Sequence, residues 1–177
     1  MRPHASAKMA LVILGLVGVG VGVDQITKAW AVRSLGRGEI VALVSDIFKL
    51  QLYRNPGAAF STGTSLTVVF AALAVIVLVA VSWWVVPRVH CLRWAIAVGL
   101  GMAGVAGNLV DRLVQPPGVM RGYVIDFFAL KYFAVFNVAD VLLTAAAIMI
   151  VVLALFIRLD FNGERTPRPK APVAGSQ

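Results

Sequence analysis

The sequence predicts a membrane all-α protein of four transmembrane helices with a small extracytoplasmic β-cradle between helices 1 and 2. Three observations carry this. First, 60% of the 177 residues are hydrophobic and only 14% are charged, against about 25% charged in soluble domains, and the mean hydropathy is +0.89. Second, four stretches reach the roughly 20 mainly apolar residues that a spanning helix needs. Third, "IVALVSDIFKLQLYRN", between the first two stretches, alternates apolar and polar side chains, with Ile47, Lys49 and Gln51 on one face and Leu50 and Leu52 on the other; this is a strand period.

Helix 1 is expected over about 9–32, uncharged as far as Val23. Its start, "MRPHASAK" followed by "MALVILGLVGVGVGV", resembles a signal peptide, and Ala29-Trp30-Ala31 fits an A-x-A cleavage pattern. Asp24 and Lys28 between the apolar core and that cut argue for a retained helix instead. The glycines of "GLVGVGVG" (Gly15–Gly22) lie inside this span without the strand–turn–helix setting of a nucleotide loop, so helix packing accounts for them. Helix 2 is expected over about 66–86, with Trp83 and Trp84 as interface anchors. Helix 3 is expected over about 94–114 and helix 4 over about 137–158.

Orientation follows Lys and Arg in short loops. Total counts on the two sides nearly tie, but the short segment from Pro87 to Arg93 carries two arginines. That places it, and both termini, in the cytoplasm. Segments 33–65 and 115–136 then face outward. The second is rich in rings (Tyr123, Phe127, Phe128, Tyr132, Phe133, Phe136), which suit the headgroup level. Residues 1–160 form one integral membrane domain, and 161–177, polar and basic with Arg165, Arg168 and Lys170, a disordered cytoplasmic tail close to an anionic membrane face.

Composition also excludes. The net charge of +8 is dispersed between apolar runs too long for a soluble nucleic-acid binder. Cys91 is the single cysteine, and His4 and His90 stand apart, so no metal-ligand set and no internal disulfide are expected. Ser61, Thr62 and Ser65 have no histidine nearby in sequence to suggest a serine protease.

The informative residues are polar ones at the outer helix ends. Asp24 and Lys28 are spaced i, i+4 and can pair. Ala95, Gly99, Ala103 and Gly107 make a smooth strip for close helix contact, so the cluster above them, Asn108 and Arg112 with Asp111 beside them, faces a neighbouring helix. Asn137 and Asp140 share a face at the start of helix 4, Asn55 precedes the "PGAAF" turn that includes Gly57, and Asp126 lies among apolar neighbours in "VIDFF". Ionisable groups inside membrane proteins pair or serve function. For Asp24 with Lys28 a structural pair is the better reading. Asp126 and Asp140 have no cation within a turn of local sequence, and the 14 residues between them allow a loop that leaves the membrane edge and returns. Two carboxylates brought together share a proton, and such a pair can split an amide, one member taking a proton from water and the other giving one. The macrodipole favours negative charge in the first turn of helix 4, so Asp140 is expected to be the more readily ionised member. The rival reading is a small proton- or cation-coupled transporter with the two aspartates as a relay, although no internal repeat is visible and both lie at one membrane edge rather than the midplane. A membrane chaperone or assembly factor, its polar cluster purely structural, is the third class.

"VDQITK" (Val23–Lys28), "RNPGAAFS" (Arg54–Ser61), "GNLVDR" (Gly107–Arg112), "VIDFF" (Val124–Phe128) and "FNVAD" (Phe136–Asp140) resemble, in order, the motifs of the lipoprotein signal peptidase (signal peptidase II) family. The resemblance implies a bacterial inner-membrane aspartic endopeptidase that cuts diacylglyceryl-modified prolipoproteins just before the lipidated cysteine. It implies Asp126 and Asp140 as the catalytic pair at the extracytoplasmic face, without a covalent intermediate or a cofactor. Asn55, Gly57, Asn108, Arg112 and Asn137 would bind substrate or order the site, and Asp24 and Lys28 would be the supporting polar pair. It further implies a periplasmic cradle over 33–65, a mobile aromatic cover, membrane lipid and prolipoproteins as partners, and a monomer.

Overall fold

The computed structural model describes residues 3–36, 38–57 and 65–165. In chain order these form α1 (Pro3–Leu35), β1 (Ile40–Val44), β2 (Phe48–Asn55), α2 (Ser65–Ala80), α3 (Leu92–Val114), β3 (Val124–Leu130), β4 (Val135–Phe136) and α4 (Val138–Val151). α2 runs on through a wider π-type turn and a tight 3₁₀ turn to Arg88, and α4 through a π-type turn to Ile157. Four segments are long and apolar enough to cross a bilayer: Ala7–Leu35, Leu66–Arg88, Leu92–Val114 and Val138–Ile157. All four expected spans are therefore present, the first extended at both ends.

α3 is the centre of the helix group and packs against α1, α2 and α4. The expected small-residue strip explains the close approach. A Cβ on Gly99 would come within 2.9 Å of Leu16, and one on Gly107 within 2.7 Å of the Asp24 carboxylate. Gly104 extends the same device toward α4, where an added Cβ would sit 2.5 Å from the Ala139 carbonyl oxygen.

The β element departs from expectation. It is one antiparallel sheet in the order β1-β2-β3-β4, and only half of it comes from the segment between helices 1 and 2. β3 and β4 come from the aromatic segment expected to be a loop. Asp126 thus stands on a strand, opposite Tyr53 of β2. The ring assignment also needs correcting. Tyr132 and Phe133 are exposed, but Phe127 is buried with Ala31, Leu35 and Leu50, its edge against Trp30. This cluster fixes the sheet to the upper end of α1.

The first residues of the expected tail are ordered instead. Residues 161–165 form a turn: Phe161 packs on the Trp94 ring, the His90 amide donates to the Phe161 carbonyl, and Leu159 bridges to Arg165. Trp94 donates its indole N–H to the Leu159 carbonyl at 3.1 Å, a partner that a buried indole requires. The remainder of the tail, 166–177, lies outside the described residues, as does 58–64 of the "PGAAF" segment.

Candidate active site

The site is built where the upper ends of α1, α3 and α4 meet the ends of β2 and β3. The start of α4 is its foundation. Asn137 is the N-cap: its side-chain oxygen accepts from the Asp140 amide at 3.1 Å, while an Asp140 oxygen accepts from the Asn137 amide at 3.0 Å. This reciprocal capping box holds the Asp140 carboxylate at the positive end of the helix dipole. Asp24 on α1 satisfies a further free donor of the same turn, the Ala139 amide, at 2.9 Å. Asp140 therefore opens the helix on the side facing the other polar groups.

Asp126 is held by amides from two directions. Asn55, the last residue of β2, donates to Oδ2 at 3.0 Å, and Asn137 donates to Oδ1 at 2.6 Å. The orientation of both amides is fixed by their other ends, because the Asn55 oxygen accepts from the Gly57 amide at 2.8 Å and the Asn137 oxygen from Asp140. Gly57 turns at φ +85°, and a Cβ there would meet the Phe70 ring at 3.0 Å, so the turn that aims Asn55 needs glycine. Asn108 completes the ring. It donates to Asp140 at 2.9 Å and accepts from Asn137 at 3.0 Å. One residue, Asn137, thus contacts both carboxylates, that of Asp126 through its side-chain amide and that of Asp140 through its backbone amide.

Burial pushes the Asp126 carboxyl up to about 6. The Asp140 charge adds to the rise, while the Asn55 and Asn137 amides and the Lys28 charge oppose it.

Beneath this ring lies a dry ionic hub. The Lys28 ammonium contacts Asp24 and Asp111 at 2.8 Å each and donates to the Asn108 oxygen at 3.0 Å. All three of its protons are used. Gln25 donates to Asp24, to the Gly107 carbonyl and to Asp111. Asp111 also accepts from the Ile125 amide at 3.0 Å, which pins β3 one residue before Asp126. No buried side-chain polar atom among the described residues lacks a partner.

The structure brings together Asp126, Asp140, Asn55, Asn108 and Asn137, with Asp24 and Lys28 directly below. Arg112 takes a different place from the amides: it donates back to the Asn108 carbonyl at 3.1 Å, and its guanidinium lies over Phe70, 6.0 Å from the ring centroid, beside Gly57. Sequence reasoning missed Gln25 and the positioning role of Asp111. A signal for Asp111 existed, since it is the next step of the strip Ala95, Gly99, Ala103, Gly107. Among the described residues no group of His, Cys, Asp and Glu could hold a metal ion.

A helix bundle carrying such a polar ring at one end matches a known class. A solved chain described as a bacterial membrane enzyme superposes with a TM-score of 0.72 at 26% identity, covering 81% of this chain and 92% of its own. The family profile described as Signal peptidase (SPase) II matches residues 16–156. A relative named lipoprotein signal peptidase from Mycolicibacterium smegmatis is 40% identical over 176 residues, covering 98% of this chain and 74% of its own. One of the same name from Rhodococcus jostii is 42% identical over 158 residues, covering 88% and 77%. The chain belongs to the signal peptidase II family and is a multi-pass bacterial membrane peptidase.

Proposed function

We propose that the protein is an aspartic endopeptidase that removes signal peptides from diacylglyceryl-modified prolipoproteins, with Asp126 and Asp140 as its catalytic pair at the extracytoplasmic membrane face. The observation that carries this reading is the shared support of the two carboxylates: Asn137 donates its side-chain amide to Asp126 at 2.6 Å and its backbone amide to Asp140 at 3.0 Å.

In this reading Asp126, whose carboxyl titrates at about 6, begins as the acid and Asp140 as the carboxylate. Water adds to the scissile carbonyl carbon, its proton passing to Asp140 and the Asp126 proton to the carbonyl oxygen. The gem-diol then returns a proton to Asp126 as the C–N bond breaks, and the leaving amine takes the proton from Asp140. The pair ends as it began, with no covalent enzyme intermediate. Asn55, Asn108 and Asn137 hold the carboxylates, and Arg112 and Gly57 border the approach. A lipidated cysteine brings its bond to the interface because its acyl chains stay in the bilayer, each buried CH₂ contributing about 0.8 kcal/mol. A site at helix ends meets it there.

The test uses purified protein in detergent, in water enriched with oxygen-18, with a diacylglyceryl-modified precursor beside its unlipidated form. The expected result is a cut before the modified cysteine, with one labelled oxygen in the new carboxylate of the signal peptide. Equal cleavage of the unlipidated form would overturn the substrate assignment. Absence of any cut would overturn the activity.

A further inference from the structure

We propose that the flute between α4 and the β3–β4 hairpin seats an acyl chain of the substrate's diacylglyceryl group; this rests on the function proposed above. The groove has a volume of about 460 Å³. Its head is Asp140 itself, and Phe133 and Phe136, in edge-to-face contact, form the hairpin wall of its mouth.

The α4 wall is Val141, Thr144, Ala145 and Ile148. These fall at i, i+3, i+4 and i+7, a single stripe of one helix face. Ala145, the smallest of the four, lies between Val141 and Ile148 and leaves the depression of the trough. Thr144 is the only hydroxyl on that wall, and it turns back to donate to the Asp140 carbonyl at 2.8 Å. What remains toward the groove is apolar, continuous with a carboxylate that the proposed reaction uses.

Depth identifies the occupant. From Asp140 to Ile148 is eight residues, about 12 Å of helix rise. Half of a hydrocarbon core of about 30 Å is about 15 Å, so the groove runs the depth of roughly one leaflet. An acyl chain needs that depth. A signal-peptide helix must cross both leaflets, about twice the depth of this groove. A second cavity, about 480 Å³ between α2, α3 and α4, lies on the opposite face of α4 and is lined by neither aspartate.

The test compares two synthetic precursor peptides, one with dipalmitoylglyceryl and one with dihexanoylglyceryl on the cysteine, cleaved by wild type, Ala145→Phe and Ile148→Trp. Both positions are exposed in the groove, each variant's unfolding midpoint is measured beside its activity, and Val19→Phe on the exposed face of α1 is the control. Filling the trough removes the seat of several methylenes from long chains. The expected result is a rise in KM for the dipalmitoyl peptide of about tenfold in either groove variant, with kcat for both peptides retained and the Val19→Phe control unchanged. Equal effects on the two peptides, or none, would overturn the acyl seat and leave the proteolytic function standing. Failure of wild type to cut either peptide would instead sink that function, and this proposal with it.

Discussion

Asp24 and Asp111 each meet the Lys28 ammonium at 2.8 Å, whereas Asp126 and Asp140, the next acidic pair above them, are held by the amides of Asn55, Asn108 and Asn137. Asp24, Asp111 and Asp126 are buried, and Asp140 is half-buried. In the lower pair two carboxylates share one ammonium, whose third proton goes to Asn108. In the upper pair the side-chain donors are neutral amides, and burial raises the Asp126 carboxyl to about 6. In the proposed mechanism the same residue type is structural or reactive according to whether its partner is an ion or a dipole. Asn108 joins the two regions, accepting from Lys28 and donating to Asp140.

The contrast can be broken first from below. Lys28→Met leaves two buried carboxylates without their cation, and removing one partner from a buried pair typically costs about 3–5 kcal/mol. Its unfolding midpoint in detergent should fall farther than that of Asp126→Asn, Asn55→Ala or Gly57→Ala. A midpoint matching wild type would contradict a structural hub.

The upper pair should reveal itself by pH. The Asp126 carboxyl titrates in the folded protein near 6, above its ordinary value of 3.8, so folding tightens its hold on the proton. That contribution to stability is complete below about 3.8 and is lost as pH rises through about 6. Between pH 5 and 8 wild type should lose about 1.4 kcal/mol of stability, and Asp126→Asn should lose much less. Activity should decline over the same rise, as Asp126 gives up the proton it must donate.

Asn55→Ala tests the dipolar support with a smaller effect. The Asn55 amide favours the charged form of Asp126, so its loss should move the alkaline limb of the activity profile to higher pH. Losing one hydrogen bond to a charged group should slow cleavage about tenfold. Gly57→Ala should show the smallest change, a stability cost of about 1 kcal/mol from the left-handed backbone, read as a modest midpoint shift, with the alkaline limb displaced in the same direction as in Asn55→Ala but by less.

The sequence made the spans legible because lipid demands long apolar runs, and it made the polar ring legible because lipid ought to exclude such residues. β3 stayed hidden for a physical reason. "VIDFFAL" is nearly continuous in apolar character, and its partner β2 lies some seventy positions away, so no local period announces it. Asp111 was obscured by its neighbour. Consecutive helical residues point about 100° apart, so Arg112 turns to Phe70 and Asp111 to Lys28. The turn at 161–165 reads as a solvated tail because Asp, Asn and Gly suit any turn; the hydrogen bond demanded by Trp94 lies 65 positions back along the chain.

The most direct test of the central claim is the cleavage rate of Asp126→Asn and Asp140→Asn on a diacylglyceryl-modified precursor, measured with each variant's unfolding midpoint. Both should remain folded and bind the precursor, and both should cut at least about a thousandfold more slowly than wild type. A variant that cuts at the wild-type rate would show that the two carboxylates do not carry the reaction.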